Sequence, residues 1–229
     1  MTKFILVHIP KTAGMSLRRG FIDLFGEASV GPHFAAGHLG PSHAEAWKND
    51  RLIAGHLSAS DLALFPGRKV LTVLREPIDR CLSWYYYARA ARAPELMLDM
   101  AAAQKNGVGA FFDLHPALLR RNLSNRMVRQ LGGHALDFDE PLDRCLKRAQ
   151  ANLKEYAWVG FQETMRIDVR RLSALDPDLA DFALPRVNVT AERRQPADVR
   201  PETLSRIAAL NEYDIELYRW AKREFGGNG

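Results

Sequence analysis

Three short segments carry residue types and spacings that could do chemistry. The first is His8-Ile9-Pro10-Lys11-Thr12-Ala13-Gly14-Met15-Ser16-Leu17. It follows a short apolar run and precedes a helix-spaced one, which places it at a strand-to-helix turn. A helix start leaves several N–H groups unpaired and offers the positive end of the dipole. Ala13 and Gly14 are small enough to let an anion approach the backbone, Lys11 adds a mobile charge, and Thr12 and Ser16 add hydroxyl donors. The segment reads as a phosphate cradle; an ordinary tight turn with an incidental lysine is the alternative.

The cradle is not that of a nucleoside-triphosphate enzyme. In a G-x-x-x-x-G-K-[ST] frame ending at Ser16, Ile9 replaces the first glycine and Met15 the lysine. Magnesium-dependent phosphoryl transfer also wants an acidic residue at a neighbouring strand end. The apolar run Val70 to Leu74 ends instead in Arg75, which opens the second segment, Arg75-Glu76-Pro77-Ile78-Asp79-Arg80-Cys81-Leu82-Ser83. Arg75 could fork onto a phosphate that Ser83 also reaches. Alternatively, Arg75 pairs with Glu76 or Asp79 and Ser83 faces solvent. A metal-free site for a second anion is the expectation.

The third segment is Gly55-His56-Leu57-Ser58. An unperturbed imidazole titrates near pH 6.5, which suits His56 to general-base work, although a structural histidine at a strand end would look the same. His33, His38 and His43 recur at intervals of five, unlike a helical metal pair, and read as solvated loop; His33 or His38 could still meet an acceptor. His8 reads as a loop support.

The elements that must position these residues follow from periodicity. Phe4 to Val7, Arg51 to Ala54, Lys69 to Leu74 and Tyr156 to Phe161 are short apolar runs suited to strands covered on both faces. Helical spacing marks Met15 to Phe25, Ser60 to Phe65, Pro77 to Arg89, Pro94 to Gly109, Pro116 to Leu131, Pro141 to Glu155, Thr164 to Leu175 and Pro201 to Phe225. Trp84 to Tyr87 read as core and groove wall. The pairs Arg18/Arg19, Arg120/Arg121 and Arg193/Arg194 read as solvated faces. The expected fold is a single α/β domain over 1–229: three layers, P-loop-like, with a mostly parallel central sheet flanked by helices.

Composition narrows the classes. The chain has 229 residues, 47% hydrophobic and 26% charged, enough for a core without staples. Cys81 and Cys145 are its only cysteines and lack paired ligand spacing, so neither a disulfide framework nor a zinc site is expected. A net charge of +5 favours polyanionic partners. No run approaches the roughly 18 apolar residues of a membrane span. No recognition-helix or aromatic-basic module suggests nucleic acid.

Together, the Lys11 and Arg75 segments resemble those of the carbohydrate sulfotransferases that use 3′-phosphoadenosine 5′-phosphosulfate (PAPS), especially the branch with the heparan and dermatan 2-O-sulfotransferases. In that family H-x-P-K-T-x-G-x-S binds the 5′-phosphosulfate and R-x-P-x-x-R-x-x-S the 3′-phosphate, and both patterns are met here. Weaker likenesses follow in the family's order at Asn125 to Gly133, Val159 to Glu163 and Arg186 to Thr190. The resemblance implies that Lys11, Thr12, Ala13, Gly14, Met15 and Ser16 hold the 5′ end of PAPS. It implies that Arg75 and Ser83 hold the 3′-phosphate, and that Asn188 and Thr190 cover the nucleotide. Lys11 would also stabilise the leaving phosphate, and His56, in a G-H-[VLI] position, would be the base.

The implied products are PAP and a sulfated hydroxyl, on a saccharide or glycolipid, with no metal. The chain begins at its first strand, unlike the family's membrane-anchored animal members, so a cytoplasmic location is expected. A kinase with a degenerate phosphate loop and a non-catalytic binder of nucleotides or polyanions remain the alternatives.

Overall fold

The computed structural model describes residues 1–35, 38–90, 98–134, 137–185 and 196–226. Asn188, Thr190, Arg193 and Arg194, with part of the stretch expected to be helical after Pro94, lie outside the described residues. Five parallel strands form one sheet in the order β2-β3-β1-β4-β5. They are β1 (Phe4–Val7), β2 (Val30–Phe34), β3 (Leu52–Gly55), β4 (Lys69–Leu74) and β5 (Trp158–Phe161). Strands β1, β3 and β5 are buried along their whole length, as continuous apolar runs in a parallel sheet should be.

Eleven α-helices alternate with or follow the strands among the described residues. In chain order they are α1 (Gly14–Phe25), α2 (Pro41–Ala46), α3 (Pro77–Arg89), α4 (Leu98–Lys105), α5 (Val108–Phe112), α6 (Pro116–Leu119), α7 (Arg126–Gly132), α8 (Leu142–Glu155), α9 (Met165–Ser173), α10 (Pro201–Ala209) and α11 (Glu212–Phe225). Phe4 and Leu6 pack with Leu17 and Phe21 of α1 and Met165 and Leu172 of α9. Val7 packs on the opposite side with Val128 of α7, Leu146 of α8 and Leu217 of α11. The alternation along β1 therefore divides the interior into two cores, giving the expected three-layer α/β arrangement. A further cluster joins Leu82 and Tyr85 of α3 to Phe111 of α5 and Ile207 of α10. Trp84 and Tyr85 are in this core, as expected, whereas Tyr87 is exposed.

Strand β2 was not among the expected elements, because Gly31 and Pro32 interrupt its pattern. It lies at the sheet edge, where a proline's missing N–H costs no ladder bond. Two long expected helices are each divided. Asn125 takes a left-handed conformation (φ 46°) before α7, and Asn211 separates α10 from α11. The two breaks hold each other. Asn125 N–H donates to Asn211 Oδ1 (3.1 Å), and the Tyr213 and Asp214 N–H groups donate to Asn125 Oδ1 (3.0 and 3.1 Å). Asp214 returns the cap by accepting from the Met127 and Val128 N–H groups (3.1 and 2.8 Å). Two helix starts are thus satisfied across 86 to 89 residues of sequence.

Candidate functional site

The chain leaves β1 toward α1 and β2 on one side and leaves β4 toward β5 on the other, so strand order reverses between β1 and β4. In open parallel sheets the crevice beyond the carboxyl ends of such strands is the natural ligand site. The three sequence segments follow β1, β4 and β3, and they meet at this edge.

The Lys11 loop turns through two left-handed L-residues, Lys11 (φ 70°) and Ala13 (φ 71°), each costing on the order of 1 kcal/mol. Such turns make concavities of backbone N–H groups that suit anions. Ala13 precedes α1, no side chain caps the helix, and no acidic residue sits in its first turn. Thr12 is fully buried, and its hydroxyl donates to the Ile9 carbonyl (2.8 Å). In this structure that proton braces the loop. Lys11 Nζ lies 4.1 Å above the centre of the Tyr87 ring.

Arg75 closes the crevice from the β4 side. Its Nη1 donates to the Lys11 carbonyl (2.8 Å), joining the first two segments directly. Its Nε donates to Asp79 Oδ2 (2.8 Å), which completes an i,i+4 ion pair. The alternative pairing with Asp79 is thus present, and it holds a buried guanidinium ready at the strand end. Burial lowers Arg75 to about 10, a value that leaves it charged at neutral pH, while the neighbouring Glu163 carboxylate acts in the opposite direction. Ser83 is buried on α3 rather than facing solvent, and no hydrogen bond joins it to Arg75.

On the other side of β1, three histidines converge. The register pairs Val7 with Gly55 and Gly55 with Phe34, so the period of two puts His8, His56 and His33 on one face. The ladder runs one residue further: His8 N–H donates to the Gly55 carbonyl (2.8 Å), and His56 N–H to the Phe34 carbonyl (2.7 Å). A Cβ on Gly55 would lie 2.4 Å from the Phe34 carbonyl oxygen, so a side chain there would push β2 away. The imidazole centres form a near-equilateral triangle: His8–His33 5.2 Å, His8–His56 5.0 Å and His33–His56 5.2 Å. His8 Nδ1 and His33 Nε2 share a hydrogen bond of 2.9 Å.

His56 Nδ1 lies 2.9 Å from the Ala35 carbonyl oxygen, which can only accept. The ring is therefore the Nδ1–H tautomer when neutral, with its lone pair on Nε2. Burial, then the Arg126 guanidinium and the His33 ring, push His56 down to about 4. Burial, then His56, His33 and Lys11, hold His8 well below the usual imidazole range. Burial, then Arg18, lowers His33. At neutral pH all three rings are uncharged.

Several of these groups were not legible as site residues. His8 and His33 read as a loop support and a solvated loop; the structure makes them partners of His56. Arg18 read as a solvated face, but its Nη2 donates to the Gly31 carbonyl (2.9 Å) beside the cluster. Gln130, fully buried on α7, donates to the carbonyls of His8 (3.1 Å) and Leu57 (2.7 Å), and so braces the ends of β1 and β3 together. Its neighbour Arg126 is buried beside Gln130, with Nε donating to Gln130 Oε1 (3.2 Å). The only signal for either was their place in the downstream likeness from Asn125 to Gly133. Cys81 and Cys145 are buried free thiols. Among the described residues, no helix is long and apolar enough to cross a membrane.

No family model matches the chain, and no curated protein matches it. Solved structures do. Mouse sulfotransferase SULT7A1 complexed with PAP aligns at a TM-score of 0.46 and 16% identity, over 91% of this chain and 63% of that one. The chain thus spans less than two thirds of that neighbour's length. A sulfotransferase from Alicyclobacillus acidocaldarius aligns at a TM-score of 0.43 and 16% identity, over 96% of this chain and 99% of that one. At these scores the likeness is one of outline.

Proposed function

We propose that this chain is a PAPS-dependent sulfotransferase that moves a sulfuryl group to a hydroxyl of a saccharide or glycoconjugate in the cytoplasm. The observation that carries the reading is the junction of the Lys11 loop with Arg75 between β1 and β4, with His56 on the adjoining strand end. This provides two places for anions and one for a proton, in the order that the segments resembling the family require.

In this reading Lys11, the backbone from Thr12 to Met15, and Ser16 hold the 5′ end of the nucleotide. Arg75 and Ser83 hold its 3′-phosphate, and Asn188 and Thr190, outside the described residues, cover it. The acceptor hydroxyl gives its proton to His56 Nε2. Its oxygen bonds to sulfur as the bond from sulfur to the bridging oxygen breaks, leaving PAP. The charge that develops on the leaving phosphate meets the α1 N-terminus and Lys11 Nζ, which leaves its place over Tyr87. Preorganised donors of this kind are worth about 10²- to 10³-fold in rate each. His56 is neutral at rest and therefore able to accept. The anionic nucleotide offsets the field of Arg126 and raises its basicity toward the working pH. None of these roles requires a metal.

The test is calorimetric titration of PAP, without metal, into wild type and Arg75→Ala, with ATP plus magnesium as competitor. Metal-free binding weakened about 10- to 100-fold by Arg75→Ala is expected, the size of a lost hydrogen-bonded charge contact. Absence of PAP binding, or preference for ATP with magnesium, would overturn the proposal.

A further inference from the structure

The imidazole triangle has a capacity that proton transfer does not use. We propose that His8, His33 and His56 form a site for a borderline divalent transition-metal ion, of the class of Zn²⁺ and Co²⁺, bound through three ring nitrogens.

Geometry carries this. One ligand nitrogen from each ring lies within 4.8 Å of the others. Three nitrogens around a tetrahedral ion at ~2.0–2.1 Å are about 3.3 Å apart. The His8–His33 pair, at 2.9 Å, has to open by only a few tenths of an ångström, and no pair has to close by more than about 1.5 Å.

The scaffold is also that of a metal site. The ligands stand on three adjacent strand ends, tied by the His8 and His56 backbone hydrogen bonds and by Gln130. His56 already has the outer contact that a metal-bound histidine uses: its Nδ1 is engaged by a backbone carbonyl, which leaves the Nε2 lone pair as the ligand atom. The cluster offers nitrogen alone, with no carboxylate in the group, so it selects against magnesium and calcium, which prefer oxygen. Lys11, Arg18 and Arg126 act on the same rings, so a bare dication is disfavoured and the fourth position takes an anion such as hydroxide. An ion here would occupy the His56 lone pair and switch sulfuryl transfer off. That consequence rests on the function proposed above; the binding does not.

The test uses untagged protein stripped with a chelator and titrated with Co²⁺, followed by the visible absorption of the ion. One Co²⁺ per chain with the intense spectrum of a four-coordinate site, displaced by Zn²⁺, is expected. His33→Ala should weaken binding by more than the roughly 10- to 100-fold that loss of an outer partner costs. His38→Ala should leave it unchanged, because His38 stacks on His134 (ring centres 6.1 Å apart) and not on the cluster. His33→Gln, with thermal unfolding of both His33 variants, separates lost ligation from lost folding. A weak six-coordinate spectrum, or binding that folded His33 variants retain, would overturn the site. PAP titration of the same stripped protein keeps the two proposals apart. PAP binding without Co²⁺ binding removes the metal site alone, and Co²⁺ binding without PAP binding removes the transferase reading alone.

Discussion

The two flanks of β1 solve opposite electrostatic problems within one sheet edge. Toward β4, the chain keeps its charges: Arg75 is buried, yet Asp79 and the Lys11 carbonyl hold its guanidinium, and it stays ionised. Toward β3, the chain keeps charge out: three imidazoles crowd together near Arg18, Arg126 and Lys11, and burial and those cations keep them neutral. The difference shows that burial alone does not decide ionisation. Burial pushes both groups down, Arg75 to about 10 and His56 to about 4, but a guanidinium starts far above neutrality and stays charged, whereas an imidazole starts near 6.5 and loses its proton.

The sharpest way to break this comparison is to remove one group from each flank and read the rate. Both Lys11→Ala and His56→Ala should lower sulfuryl transfer, by about 10²- to 10³-fold and about 10²- to 10⁴-fold respectively. They should differ in kind. In chelator-treated protein, His56→Ala should lose the acid limb of the kcat/KM profile and keep its affinity for PAP, while Lys11→Ala should keep the limb. Identical profiles for the two variants would erase the division of labour.

A smaller effect is expected where the flanks touch. Gly14 opens α1, and a Cβ there would lie 2.1 Å from the His8 ring. Gly14→Ala should therefore displace the imidazole and the loop together, at a cost of about 1–3 kcal/mol in thermal or urea unfolding. A wild-type Tm would show that the helix start and the histidine cluster are mechanically independent.

The smallest effect is on stability against pH. His8, His33 and His56 have folded values below that of a free histidine, so the unfolded chain binds more protons as pH falls through about 6.5. Stability should be full above that value and decline toward about pH 4, the level to which His56 is pushed. Denaturant midpoints of metal-free protein measured across this window should fall less steeply in His56→Gln. An unchanged slope would mean that His56 takes up its proton as readily in the folded chain as in the unfolded one.

How much of this was legible depended on whether the cause was local. The strands β1, β3, β4 and β5 were readable because a strand covered on both faces is apolar at nearly every position, and that constraint lies within four to six consecutive residues. The edge strand β2 was not, because Gly31 and Pro32 break its apolar run and Pro32, lacking an N–H, is admissible only where no second neighbour needs it. The divided helices were not either, because Asn125 and Asn211 interrupt them through bonds to each other, 86 residues apart.

For the site, the sequence alone determined that a small-residue turn carrying Lys11 follows β1, that an arginine rather than a carboxylate ends β4, and that a histidine follows β3. Each is a matter of residue type at the end of an apolar run. Tertiary structure decided what those residues do to one another. It turned the Thr12 hydroxyl inward, tied Arg75 to Lys11, and brought His8 and His33 onto the face of His56. The physical reason is register: which strands are neighbours, and on which face a side chain emerges, is settled by pairing across the sheet, and no spacing along the chain records it.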